Sequence, residues 1–172
     1  MMQAKEKKLT GYPSIDKPWL KYYKNTKCLD VNPEQTIYSF IKEINEKYLD
    51  DVAIEYFGRK ITYRQFMLLV EKCRDNLASL GITEGDIITI QTLAIPQSYI
   101  LLYAASLIGA CANFVYVTST EEEVKASLIE TKSKLYVVID KIYQKMKSDI
   151  LKETSVQNVM LLSCKMALYC RR

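Results

Sequence analysis

From residue 87 to residue 120 the chain carries no charged side chain. Two structures can hide so long an uncharged run. One is a membrane span, which needs roughly 20 mostly apolar residues. The other is the interior of a layered domain. Pro96, Gln97 and Gly109 cut the run into shorter pieces, and Gln91, Ser106 and Asn113 lie within it. The pieces read as a strand over 87–91, a helix over 97–108 and a strand over 112–117, all buried. No membrane span is expected.

The same alternation continues downstream. A helix is expected over 121–131, with Glu121, Glu122 and Glu123 in its first turn, where the helix dipole favours acids. A strand follows over 135–140, a helix over 142–153 and a strand over 156–163. Strands that read as continuous apolar runs separated by helices imply a parallel sheet covered on both faces.

Upstream the pattern differs. Ile37, Phe40, Ile41 and Ile44 repeat at helical spacing from a start near Thr36. A strand over 52–57, a Gly58-Arg59 link and a strand over 60–63 read as a hairpin. Thr62 and Gln65 then match a capping box, in which each side chain meets the other's backbone amide. Phe66, Leu69, Val70, Cys73, Leu77 and Leu80 form one stripe of the next helix, and Gly81 stands where a left-handed cap belongs. The fold class is therefore α/β: a hairpin and helix leading into a parallel sheet with helices on both faces. Residues 1–31 read as an extended lead-in, 32–163 as the folded part and 164–172 as an atypical tail.

Composition narrows the chemistry. The 172 residues are 49% hydrophobic and 26% charged, as in an ordinary globular domain. The net charge of +4 is spread among acids, so no nucleic-acid partner is expected. With no histidine, the Ser-His and Cys-His catalytic pairs are excluded. Cys28, Cys73, Cys111, Cys164 and Cys170 lack metal-ligand spacing and fit buried thiols in a reducing cytosol. Gly11, Gly58, Gly81, Gly85 and Gly109 are dispersed, and none makes a phosphate-cradling loop. Asp50, Asp51 and Asp140 occupy turn positions and read as caps. The 13 tyrosines read as core and rim packing. No catalytic, cofactor-binding or metal residue is assigned.

Four pieces in order nevertheless resemble the opening of the adenylate-forming (AMP-binding) superfamily. Ile61-Thr62-Tyr63-Arg64-Gln65-Phe66 is similar to its early T-Y-x-E-L signature, and Leu77-Ala78-Ser79-Leu80-Gly81 to its L-A-x-x-L-x-x-x-G. Gly81-Ile82-Thr83-Glu84-Gly85-Asp86 resembles G-V-x-x-G-D-x-V, and Ala104-Ala105-Ser106-Leu107-Ile108-Gly109-Ala110 resembles A-x-x-K-x-G-A. The likeness runs from about residue 36 to residue 163. The segment from Gly11 through Pro13 and Pro18 to Trp19 also looks like the start of some bacterial acyl-CoA ligase-like members.

Departures accompany it. Ser106 stands where lysine is common, and Asn113-Phe114-Val115 stands where the family often carries prolines. The Ser/Thr/Gly-rich loop with lysine that holds ATP phosphates in the family does not follow the last strand. The resemblance implies an N-terminal fragment of an AMP-dependent acyl-CoA synthetase or ligase. Its parent would use ATP, Mg2+ and coenzyme A, the fragment itself would be inactive and cytoplasmic, and the parent's C-terminal portion would be its packing partner. A non-catalytic α/β interaction module that kept only the scaffold remains the alternative.

Overall fold

The computed structural model describes residues 9–22, 32, 34–146 and 149–163. Backbone contacts divide the chain into two units, 1–33 and 34–172. In the first, the expected extended lead-in contains two short helical turns. Helix α1 spans Pro13–Asp16, and a 3-10 turn spans Pro18–Tyr22. Pro13 presets the helical φ at the start of α1. The Asp16 carboxylate folds back to accept the Thr10 and Gly11 amides, both at 2.9 Å.

The second unit begins with α2, Ile37–Ile44, capped by Thr36, whose hydroxyl accepts the Ser39 amide. The helix forms as expected, but its inward face is different. Tyr38 is the buried residue, while Ile37 and Ile44 are exposed. The Tyr38 hydroxyl explains the choice, because it donates to Glu71 at 2.8 Å and so can be buried without loss of its hydrogen bond. Next come strands β1, Val52–Tyr56, and β2, Arg59–Thr62, antiparallel with Tyr56 opposite Arg59. The two turn residues are thus Phe57 and Gly58, one position earlier than the expected Gly58-Arg59 link. Their φ values, 49° and 75°, are both left-handed, as a type I′ hairpin turn requires.

Helix α3, Tyr63–Ser79, opens on the expected capping box: Gln65 N donates to Thr62 Oγ1, and Thr62 N to Gln65 Oε1. Phe66, Val70 and Leu77 face the core, as does Met67, which the stripe omitted; Leu69 is exposed. An added methionine widens the buried face by one position, which a flexible side chain tolerates. Gly81, at φ 79°, closes the helix end, and the Ile82 amide reaches the Leu77 carbonyl.

The remaining elements are β3, Ile87–Gln91; α4, Pro96–Ile108; β4, Cys111–Phe114; α5, Glu121–Glu130; β5, Leu135–Ile139; α6, Asp140–Tyr143; and β6, Asn158–Leu162. The helix expected over 142–153 is only the single turn of α6, and residues 149–154 run through turns. Ile150 still reaches the core, but Glu153 takes a left-handed φ of 72°, and Thr154 Oγ1 bonds the Leu151 carbonyl, which ends helical bonding there.

All four strands of the main sheet are parallel, in the order β4-β3-β5-β6. Side chains of β5 alternate between two cores. Leu135 and Val137 join Ile88, Ile90 and Leu101 in the core beneath α3 and α4. Tyr136 and Val138 join Val124 and Leu128 in a second core beneath α5. Helices therefore cover both faces, as the apolar runs implied. No helix among the described residues is long and apolar enough to cross a membrane.

Polar groups collect on the α5 face. Thr131 Oγ1 donates to the Ser127 carbonyl at 2.7 Å and stands 2.6 Å from Ser133 Oγ, which lies 2.5 Å from Thr89 Oγ1. Asn113 Nδ2 donates to both Thr89 Oγ1, at 3.0 Å, and Ser127 Oγ, at 2.9 Å. Because the Thr131 proton is committed to a carbonyl, Ser133 donates to Thr131 and Thr89 donates to Ser133. Thr89 and Ser133 are fully buried, and each is satisfied in this chain of bonds.

Candidate functional site

Strand order reverses between β3 and β5, since β4 lies on one side of β3 and β5 on the other. In open α/β sheets, ligands bind at the carboxyl ends of the strands near such a switch. At that end, the fully buried Gln91 of β3 donates from Nε2 to the Tyr116 carbonyl at 3.1 Å and accepts from the Tyr136 hydroxyl through Oε1. This pair fixes the 115–117 segment above the sheet. Burial holds the Tyr136 phenol protonated well beyond the ordinary tyrosine range. It is a donor only.

Two clefts open around the same edge. One, of about 580 Å³, lies between the start of α5 and α6, with Glu121, Glu122, Lys141 and Lys145 on its walls. The other, of about 210 Å³, is lined by Leu93, Tyr99, Leu102 and Phe114. Across the 94–99 segment a third cleft, of about 450 Å³, is walled by rings from α3, α4 and β1. The turn after β3 is shaped by Ser98, whose Oγ accepts the Ile95 amide at 3.1 Å and donates to the Ile95 carbonyl at 2.6 Å, with the Leu93 carbonyl at 3.0 Å.

The residues singled out in the sequence now have places. Glu123 closes a capping box with Thr120, whose amide it accepts at 2.8 Å, while Glu121 and Glu122 face the 580 Å³ cleft. Asp50 accepts from Arg64 at 3.1 Å, and Asp140 from the Lys141 amide at 2.7 Å. Cys73 is half-buried, and burial pushes its thiol up to about 11, so it is no nucleophile at neutral pH. Cys111 is exposed, contrary to the expectation of buried thiols, because it begins an edge strand. Cys28, Cys164 and Cys170 lie outside the described residues. No three Cys, His, Asp or Glu side chains among the described residues come close enough to hold a metal.

The family profile described as "AMP-binding enzyme" matches residues 41–168. The chain belongs to this family. An acetyl-coenzyme A synthetase of Shewanella frigidimarina is 31% identical over 101 residues, covering 55% of this chain and 16% of that protein. A long-chain-fatty-acid–CoA ligase of Bacillus subtilis is 24% identical over 130 residues, covering 75% of this chain and 23% of its own. Among solved structures, an anthranilate CoA ligase in complex with anthranoyl-AMP superposes with a TM-score of 0.72 at 14% identity, over 80% of this chain and 27% of that one. A benzoate CoA ligase from Burkholderia xenovorans gives 0.67 at 14% identity, over 73% and 26%. These structural likenesses show the fold. This AMP-binding family chain therefore spans less than a quarter of the curated relatives it matches.

The convergence of rings in the 450 Å³ cleft was missed in the sequence. Only part of its signal was in the sequence: Tyr63 and Phe66 are three apart on α3, and Tyr99 and Tyr103 four apart on α4, spacings that place each pair on one helix face.

Proposed function

We propose that this chain is the leading scaffold of an ATP-dependent acid–thiol ligase. The parent would join a carboxylate to ATP, giving an acyl-adenylate and pyrophosphate, and then pass the acyl group to the thiol of coenzyme A. The profile match over residues 41–168 carries this reading.

On this reading the ATP and Mg2+ site belongs to the rest of the ligase. The five glycines all take positive φ, but at five separate turns and caps rather than in one loop. Among the described residues the glycines build no anion-binding cradle of clustered amides. Catalysis by phosphoryl-charge stabilisation needs such positioned donors. By itself the chain is inactive in adenylation. The exposed Leu93, Phe114 and Tyr116 at the carboxyl edge of the sheet are surfaces that the rest of the ligase would cover. The parent is a cytoplasmic enzyme on this reading, consistent with five dispersed, unpatterned cysteines.

Carboxylate-dependent exchange between ATP and pyrophosphate tests it, with acetate, benzoate and a long-chain fatty acid as substrates. The purified chain is expected to give no exchange above a blank. Clear exchange with any acid would overturn the assignment of scaffold without chemistry. Reading the coding DNA past the Arg172 codon separates the two origins of a short chain. A Ser/Thr/Gly-rich loop with lysine in any frame supports the ligase parent, and its absence in all frames favours an interaction module.

A further inference from the structure

The 450 Å³ cleft plays no part in the ligase reading, and its chemistry points elsewhere. Its size lies within the roughly 300–1,000 Å³ range of sites that enclose a small molecule. Phe66 and Tyr103 meet edge to face, with centroids 5.3 Å apart and planes at 85°. Tyr63, Tyr99 and Tyr56 add further rings from three different elements. Burial raises the Tyr103 phenol above its ordinary range, and the neighbouring phenols of Tyr63 and Tyr99 add to that. None of the three donates to a protein group among the described residues.

Charge is equally one-sided. Among the described residues neither lysine nor arginine lines the cleft, and Glu55 on β1 is the one acidic residue bordering it. Lys60 approaches Glu55 only to 3.9 Å, and both side chains are exposed, so that pair competes weakly for the carboxylate. Aromatic faces and phenolic oxygens present negative potential, and rings gathered around one cleft attract an organic cation. An anionic ligand would find no cationic partner among the described residues of these walls.

We propose that this cleft binds a small organic ammonium ion, a quaternary or alkylated amine, with its charged head among Tyr56, Tyr63, Tyr99 and Tyr103 and Glu55 at the mouth. The proposal uses no residue of the ATP chemistry and stands whether or not the chain is part of a ligase.

The test is calorimetric or NMR titration of the whole chain with choline and with 3,3-dimethyl-1-butanol, its neutral carbon isostere. Choline is expected to saturate at millimolar concentration and to bind at least about fivefold more tightly than the isostere. Glu55→Gln is expected to weaken choline about twofold or more while leaving the isostere unchanged, and Tyr99→Leu to weaken choline at least about fivefold. Equal binding of the two ligands would reduce the cleft to an apolar slot and overturn the proposal. So would the absence of saturable choline binding up to about 50 mM, an affinity too weak for a cage of this kind. If Tyr99→Leu fails to fold by circular dichroism, the comparison of the two ligands on the unaltered chain still decides.

Discussion

Lys134 Nζ lies 2.8 Å from Asp86 Oδ2 and 2.6 Å from the Gly81 carbonyl, tying the entry of β5 to the turn that launches β3. The same carboxylate oxygen accepts the Thr83 amide at 2.7 Å and its hydroxyl at 3.0 Å. The Lys134 bond, with the Thr83 amide behind it, holds Asp86 below the usual carboxylate range. Both side chains are about three-quarters covered, so solvent screens the pair less than it would a surface pair.

Acid should therefore act partly through this clasp. Because the folded pKa is depressed, the stabilisation is present above the unfolded value of about 3.9 and is lost as pH falls through the lower folded value. Asp86→Asn is expected to cost about 1–2 kcal/mol at pH 7 and nearly nothing once the carboxylate is protonated. Urea unfolding of both proteins at neutral pH and near pH 2.5 checks this. A pH-independent difference would assign the cost to packing rather than charge.

Leu77→Asp should abolish or severely weaken folding, whereas Lys72→Asp should change stability by no more than about 0.5 kcal/mol. Leu77 is fully buried in the core under α3, and Lys72 is exposed on the same helix. Soluble yield and circular dichroism report the outcome.

Removing the hydroxyl in Tyr136→Phe leaves Gln91 Oε1 without its donor inside the protein. A cost of about 1–3 kcal/mol is expected. The double change Tyr136→Phe with Gln91→Leu should be less damaging than the two single costs added, since it removes both halves of the bond. Thermal melts of the four proteins measure the coupling.

Association should begin at the sheet's outer strands. β4 and β6 each pair on one side only among the described residues, and Leu161 on β6 is 51% exposed. Unpaired edges with apolar side chains favour intermolecular pairing. Leu161→Lys is expected to raise the concentration at which light scattering appears, without lowering the melting temperature. An unchanged threshold would place the sticky surface elsewhere, for example at Phe114 and Tyr116.

The parallel sheet was legible because β3 and β5 are short, mostly apolar runs, which burial on both faces explains. The capping box and Gly81 were legible because each needs specific residue types at fixed offsets. Other features depended on tertiary context. Tyr38 could turn inward only because Glu71, thirty-three residues away, meets its hydroxyl. Phe57 entered the left-handed turn against its own preference because the strand register placed Tyr56 opposite Arg59. The ring-lined cleft needed α3, α4 and β1 in one place, and pairwise spacing within one helix cannot report that.

The bonded chain from Asn113 through Thr89 and Ser133 to Thr131 has a consequence for how the strands find one another. β3 and β5 are short and similar, and their inner faces hold interchangeable aliphatic side chains. Sliding one along the other by two residues would keep those faces apolar and cost little there. On the opposite face the same slip would part Thr89 from Ser133 and Gln91 from Tyr136, leaving groups of both pairs unpaired in a dry layer. Each such orphaned group costs about 1–3 kcal/mol. The oily side of the sheet thus supplies adhesion that is indifferent to alignment, and the hydroxyl side supplies a key that fits at one setting only.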